Sequence, residues 1–80
     1  MRAIHSIVDR DVARHHLELA SKHVLEGQQP VEAQLDLVFK LERRGRDTLQ
    51  AKMLLEQFER TLALQIETRD RIMRELTENK

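Results

Sequence analysis

The sequence predicts an all-α protein, a single domain over residues 1–80 folded as an antiparallel hairpin of two long helices. Three observations support this fold class. Apolar residues recur at alternating spacings of three and four, which is the period of an amphipathic helix. The chain is 35% charged and contains one proline and two glycines, so few of its residues oppose helix formation. The second glycine, Gly45, separates the two periodic segments.

The first arm is predicted over residues 10–44, with Asp9 or Asp11 able to act as its N-cap. Residues 1–8 offer no clear capping residue, so we expect them to form a flexible lead. One face of the arm repeats with helical spacing and carries mainly apolar or small residues. These residues are Leu17, Ala20, Val24, Gly27, Val31, Gln34, Val38 and Leu41.

The first arm contains one element that opposes a continuous helix, the segment Gly27–Pro30. Pro30 has no N–H to offer the carbonyl of Glu26, and its ring crowds that carbonyl. Gly27 would suit a helix end. The apolar period nevertheless continues through the segment without a change of phase. We therefore expect one long arm, kinked or briefly interrupted near residues 27–30, rather than independent helices at unrelated angles.

A tight turn is predicted at about residues 44–47. Gly45 can adopt a left-handed conformation after the last helical turn, and Arg43 and Arg44 favour the negative end of the helix dipole. Asp47 can cap the amides at the start of the next helix, with Gln50 three residues later as in a capping box.

The second arm is predicted over residues 48–78, without an internal glycine or proline. Its periodic face is formed by Ala51, Leu55, Phe58, Leu62, Gln65, Arg69, Ile72 and Leu76. Folding the arms back on each other places Leu41 opposite Ala51 and Val31 opposite Leu62. The small residues Ala20 and Gly27 would let the arms approach closely.

Three polar residues interrupt the predicted seam between the arms: Gln34, Gln65 and Arg69. They could lie at the edge of the stripe and extend to water. They could instead fix the register or the choice of partner, as a buried polar residue does in a coiled coil. The sequence leaves both interpretations open.

Six large apolar residues fall outside the seam, and we predict that they form an interaction surface. They are Leu19, Leu25, Leu37, Phe39, Met53 and Leu64. Burying one such side chain contributes roughly 1.5–3 kcal/mol, and two helices that bury one stripe each make a thin structure. We therefore expect a homo-oligomer, most simply a dimer that completes a four-helix bundle. An unidentified protein partner could also place a helix on this surface.

Several segments resemble a group of short bacterial helical-hairpin proteins that share the pattern HLxxAxxHVxxG…LxxxGxDT…RDRIxxEL. The matching residues are 16–27, 41–48, 62–64 and 69–76. The resemblance implies a helical hairpin and assigns no catalytic, cofactor-binding or metal-binding residue. The chain departs from the pattern at residues 28–30, where Gln-Gln-Pro replaces a charged helical segment.

Nothing in the sequence predicts an enzyme, a cofactor or a metal site. His16 and His23 lie seven residues apart, about 10.5 Å along a helix, which is too far to share one ion. There is no glycine-rich phosphate loop and no nucleophile elbow. Opposite charges at i,i+4 predict ordinary surface pairs, namely Lys52–Glu56, Glu56–Arg60 and Glu67–Arg71.

The net charge of zero conceals an uneven distribution. Residues 40–52 balance at +3, whereas residues 17–39 balance at −3 and residues 53–68 at −2. A basic turn with Arg43, Arg44 and Arg46 could contact a polyanion. Against this stand the neutral total and the lack of aromatic residues for stacking on bases. A small nucleic-acid-associated protein is therefore the alternative hypothesis, after a non-enzymatic interaction or adaptor module.

The cellular location is predicted to be cytoplasmic. The longest apolar runs contain three residues, which is too short to cross a membrane, and residues 1–5 lack the apolar stretch of a signal peptide. The chain contains no cysteine, so nothing indicates an oxidising compartment.

Overall fold

The computed structural model describes the backbone of residues 2–78 and the side chains of residues 10–78. Helix α1 spans Arg2–Arg43 and helix α2 spans Leu49–Glu78. The helices pack against each other as a hairpin of 65 × 14 × 14 Å. The predicted all-α hairpin of two long helices is therefore confirmed.

Helix α1 runs through the segment in which a break was expected. The first arm was expected to be kinked or briefly interrupted near residues 27–30; Pro30 lies inside one continuous helix, so the interruption does not occur, and the kink stays a prediction. The missing hydrogen bond and the ring cost about 3 kcal/mol. Seam residues are withdrawn from water on both sides of the proline, with Val24 buried and Val31 half-buried. This continuous packing against α2 outweighs the local preference of one residue.

Helix α1 begins at Arg2, so Asp9 and Asp11 lie within the helix and neither is its N-cap. The first arm was predicted to begin at residue 10, whereas the helical backbone begins at Arg2. The flexibility predicted for residues 1–8 is not tested by this. It stays a prediction.

The turn forms as its sequence predicts. Gly45 has a φ of 66°, the left-handed conformation that favours glycine. The N–H of Gly45 donates to the carbonyl of Glu42 at 3.1 Å, and the N–H of Arg46 donates to the carbonyl of Leu41 at 2.9 Å. These two bonds form a Schellman motif. The Oδ1 of Asp47 accepts a hydrogen bond from the N–H of Leu49 at 3.0 Å, which caps α2.

The seam between the helices lies where the apolar period predicts it. Among the described side chains, Ala20, Val24 and Val38 form the buried apolar core. The other predicted seam residues of both helices are half-buried. The seam is thus confirmed, but it is thin, because α2 contributes no fully buried side chain among the residues described.

Gly27 lies directly against side chains of α2. A Cβ atom at this position would overlap the Oε1 of Gln65 and lie 3.4 Å from Cδ1 of Leu62. The glycine therefore makes room for α2 and does not end α1. Farther along the seam, Nε2 of Gln34 donates to the carbonyl of Ala51 at 3.0 Å. Gln34 thus connects the helices directly and does not extend to water; whether it fixes their register stays a prediction.

Candidate interaction surface

Large apolar side chains remain in solvent along the whole hairpin. All six residues of the predicted interaction surface are exposed, from 42% for Leu19 to 64% for Leu25 and Leu64. Other large side chains share this exposure: Val12, Leu35, Leu49, Leu54 and Met73. The hairpin by itself therefore leaves much of its apolar surface without a contact.

Four of these side chains lie together beside the turn. Leu35 and Phe39 of α1 and Leu49 and Met53 of α2 line one groove of about 500 Å³, which we call the turn groove. Their exposed fractions range from 42% to 63%. Val38 and Leu55 of the seam also line the groove, and its charged residues are Glu42, Lys52, Glu56 and Glu59. Apolar side chains bordered by charges form a surface typical of protein association.

A second, smaller cleft lies farther from the turn. It has a volume of about 210 Å³ and is lined by Ala20, His23, Thr61, Leu64, Gln65 and Thr68. Leu64 is the large exposed apolar residue in this cleft. The cleft therefore offers less apolar contact than the turn groove.

The structure thus divides the six predicted residues among different places. Phe39 and Met53 share the turn groove, whereas Leu64 lies in the second cleft. Leu25 precedes Phe39 by two heptads and lies on the same side of α1, about 21 Å away along the axis. Leu19 and Leu37 lie on the other flank of the seam, on about the same side of α1 as His23. The six residues are therefore not one continuous patch.

Leu35 and Leu49 belong to the turn groove but were not among the six predicted residues. The sequence does contain a signal for them. Each lies four residues before a predicted residue, Leu35 before Phe39 and Leu49 before Met53. Side chains four apart are neighbours on a helix, so the two pairs could have been recognised as two short apolar rows.

The arginines of the turn are free of ion pairs within the described residues. Arg43, Arg44 and Arg46 are exposed, and none of them lies within 4.0 Å of a described carboxylate. The lysines at this end are paired. Lys40 contacts Asp36 at 2.9 Å, and Lys52 contacts Glu42 at 3.4 Å. The positive charge of the turn is therefore carried by its arginines.

The predicted i,i+4 pairs do not form. Lys52 pairs across the seam with Glu42 and not along α2 with Glu56. The pairs Glu56–Arg60 and Glu67–Arg71 are also absent from the described ion pairs. Cross-helix contact at the groove provides Lys52 with a nearer carboxylate, so Glu56 and Glu59 remain unpaired and exposed.

The other two polar residues of the seam, Arg69 and Gln65, differ from Gln34 in their hydrogen bonds. Arg69 is held by its neighbour Asp70, whose Oδ1 accepts hydrogen bonds from Nε at 3.2 Å and Nη2 at 3.1 Å. Gln65 places its Oε1 against Gly27, where the atom is buried and lacks a hydrogen-bond partner. Such an atom costs free energy because it loses its hydration. Gln65 is therefore a weak point of the seam.

The described residues contain neither a cluster of metal ligands nor a helix that could span a membrane. Within residues 10–78, no three histidine or carboxylate side chains lie close enough together to hold a metal ion. Neither described helix has a stretch that is both long and apolar enough to cross a membrane.

Comparison of the chain with protein-family models, with curated proteins and with solved structures gives no match. The resemblance to short bacterial hairpin proteins stays a prediction. The function is therefore inferred from the surfaces of the hairpin itself.

Proposed function

We propose that this chain is a non-enzymatic interaction module that associates with a second copy of itself through the turn groove, forming a four-helix bundle. The observation that carries the proposal is the cluster of Leu35, Phe39, Leu49 and Met53, which are 42–63% exposed beside each other. In the monomer these side chains face water. A second groove would cover them with side chains of the same kind, as an isologous two-fold contact requires.

The surface area of the chain supports association. The hairpin exposes 6739 Å². A compact monomer of 9.5 kDa is expected to expose about 5,000 Å². The difference, about 1,700 Å², is larger than the roughly 800 Å² that each partner buries in a standard interface. The hairpin therefore has enough surplus surface for a stable dimer.

Sedimentation equilibrium tests this proposal directly. The parent protein is expected to have the mass of a dimer, and Phe39→Glu and Met53→Glu are expected to shift it to the monomer because each buries a charge in the apolar contact. Leu64→Glu is the matched control, since Leu64 is at least as exposed as either residue but lies in the second cleft. A monomeric parent protein would exclude the proposal, and a dimer lost only in Leu64→Glu would move the interface to the second cleft.

A second candidate function is contact with a nucleic acid through the turn. The observation that favours it is the group of three exposed arginines without ion pairs, Arg43, Arg44 and Arg46. Fluorescence anisotropy with a labelled DNA duplex is the test. Binding that falls with salt and is lost in the triple alanine variant would support this function. Retention of binding in that variant, or no binding at low salt, would reject it.

A further inference from the structure

We infer that the second copy lies in the turn groove with its turn pointing in the opposite direction, so that each basic turn rests on the acidic middle of the other hairpin. This inference rests on the proposed self-association and adds the direction of the two hairpins and the charges that set it. The occupant is a second copy of the same chain.

The charge distribution distinguishes between the two possible directions. With both turns at one end, residues 40–52, which balance at +3, would lie beside the same residues of the other copy. Residues 17–39 and 53–68, which balance at −3 and −2, would also meet their own copies. With the turns at opposite ends, unlike charges meet in both places. Like charges across an interface disfavour association, so the second direction is preferred.

The position of the groove makes this contact geometrically possible. Phe39 lies four residues, or about 6 Å, before Arg43 at the turn. Glu32 lies seven residues before Phe39, on the same side of α1 and about 10.5 Å along the axis. The groove thus lies between the arginines and the carboxylates. A two-fold axis through the groove brings the turn of each copy to the level of Glu32 in the other.

The charges that would meet are available. The arginines of the turn are exposed and unpaired among the described residues, and so are Glu32 and Glu59. Lys52 forms a long, solvent-exposed ion pair with Glu42, at 3.4 Å. No charge therefore has to leave a buried partner to form the contact.

The arrangement can be measured with spin labels, because the chain has no cysteine and accepts a single new one. Glu75→Cys places a nitroxide on an exposed position of α2, about 31 Å along the axis from the centre of the groove. If the turns point in opposite directions and the two-fold axis passes through the groove, the two nitroxides are expected about 60 Å apart by double electron–electron resonance. Hairpins that overlap in antiparallel fashion over the length of α2, about 45 Å, predict about 40 Å. Turns at the same end predict less than about 25 Å.

The mass of the labelled protein, measured by sedimentation, separates the two proposals. A dimer with a separation of about 60 Å supports the inference. A dimer with either shorter distance overturns the inference and leaves the proposed function standing, whereas a monomer overturns both.

Charge reversal gives an independent test. One variant reverses the turn, with Arg43→Glu, Arg44→Glu and Arg46→Glu; the other reverses the acidic middle, with Glu32→Lys and Glu59→Lys. Each alone is expected to self-associate at least about tenfold more weakly at low salt, because like charges then meet. Mixing the two is expected to restore a dimer that contains one copy of each. Variants that dimerise as tightly as the parent protein, or that do not form the mixed dimer, would overturn the inference.

Discussion

At position 27 the Gln65 side chain of α2 lies against α1, and its Oε1 occupies the space that a Cβ would fill. Glycine inside a helix costs about 1 kcal/mol relative to alanine. An alanine at this position would have to displace the end of the Gln65 side chain. Gly27 and Gln65 are therefore energetically coupled, although Gln65 leaves that oxygen without a hydrogen bond.

A double-mutant cycle at these two positions measures the coupling. In a Gln65→Ala background, Gly27→Ala is expected to stabilise the protein by about 1 kcal/mol, the difference in helix propensity. In the parent protein the same change displaces Gln65, so this gain is expected to be lost. Urea unfolding of the four proteins at one concentration gives the coupling energy. Additive effects of the two changes would show that the contact carries no free energy.

Gly45 is required for a different reason, its backbone conformation. Its φ is 66°, and a Cβ there would meet nothing within 4 Å. Gly45→Ala is therefore expected to destabilise the hairpin by about 1–2 kcal/mol through the left-handed backbone alone. Gly45→Asn is expected to cost less, because asparagine tolerates this conformation better. Thermal unfolding followed by circular dichroism ranks the three proteins, and equal stability of the alanine and asparagine variants would contradict the explanation.

At the scale of the helices, the seam could be predicted from the sequence because burial follows the helical period. Ala20, Val24 and Val38 were placed on the seam by their spacing, and they are the buried apolar residues among those described. The turn could be predicted equally well. A glycine followed two residues later by an aspartate, between two amphipathic segments, is typical of a helix end followed by a helix start.

The continuity of α1 could not be predicted in the same way. Pro30 and Gly27 are local signals, whereas the packing that outweighs them is spread over the length of both helices. The turn groove was only half recognised for a related reason. Phe39 and Met53 were selected because they lie off the seam, and absence from one face does not show which residues share another. Only the angular positions in the structure bring them together with Leu35 and Leu49.

Replacing Pro30 tests whether packing holds α1 together in spite of the proline. Pro30→Ala restores the N–H that the carbonyl of Glu26 lacks, so it is expected to stabilise the protein by about 1–3 kcal/mol. Gln29→Ala, at an exposed neighbouring position, serves as the control and is expected to change stability by less than about 0.5 kcal/mol. Urea unfolding of the two variants provides the comparison. A loss of stability in Pro30→Ala would mean that the hairpin needs the proline ring or a bend at this position.

At the scale of the whole molecule, the hairpin is long and thin. It measures 65 × 14 × 14 Å, and its buried apolar core among the described residues consists of three small side chains. A hairpin of this shape presents two helices side by side, as half of a larger bundle would. Its shape and its exposed apolar side chains are those that the proposed self-association would use.

Coupling between folding and assembly gives the last prediction. If the turn grooves cover each other, the folded dimer is stabilised by mass action, and the unfolding temperature must rise with protein concentration. A tenfold increase in concentration adds about 1.4 kcal/mol per dimer, which corresponds to a few degrees for a chain of this size. Circular dichroism melts of the parent protein over a roughly hundredfold concentration range measure this rise.

Phe39→Glu provides the contrast that assigns the effect to the turn groove. The variant is expected to unfold at a lower temperature that does not depend on concentration, because its groove can no longer be covered. Leu64→Glu should retain the slope of the parent protein, since Leu64 lies in the other cleft. An unfolding temperature of the parent protein that is independent of concentration would mean that the thin seam alone stabilises the hairpin. The exposed Phe39 and its neighbours would then contribute nothing to folding.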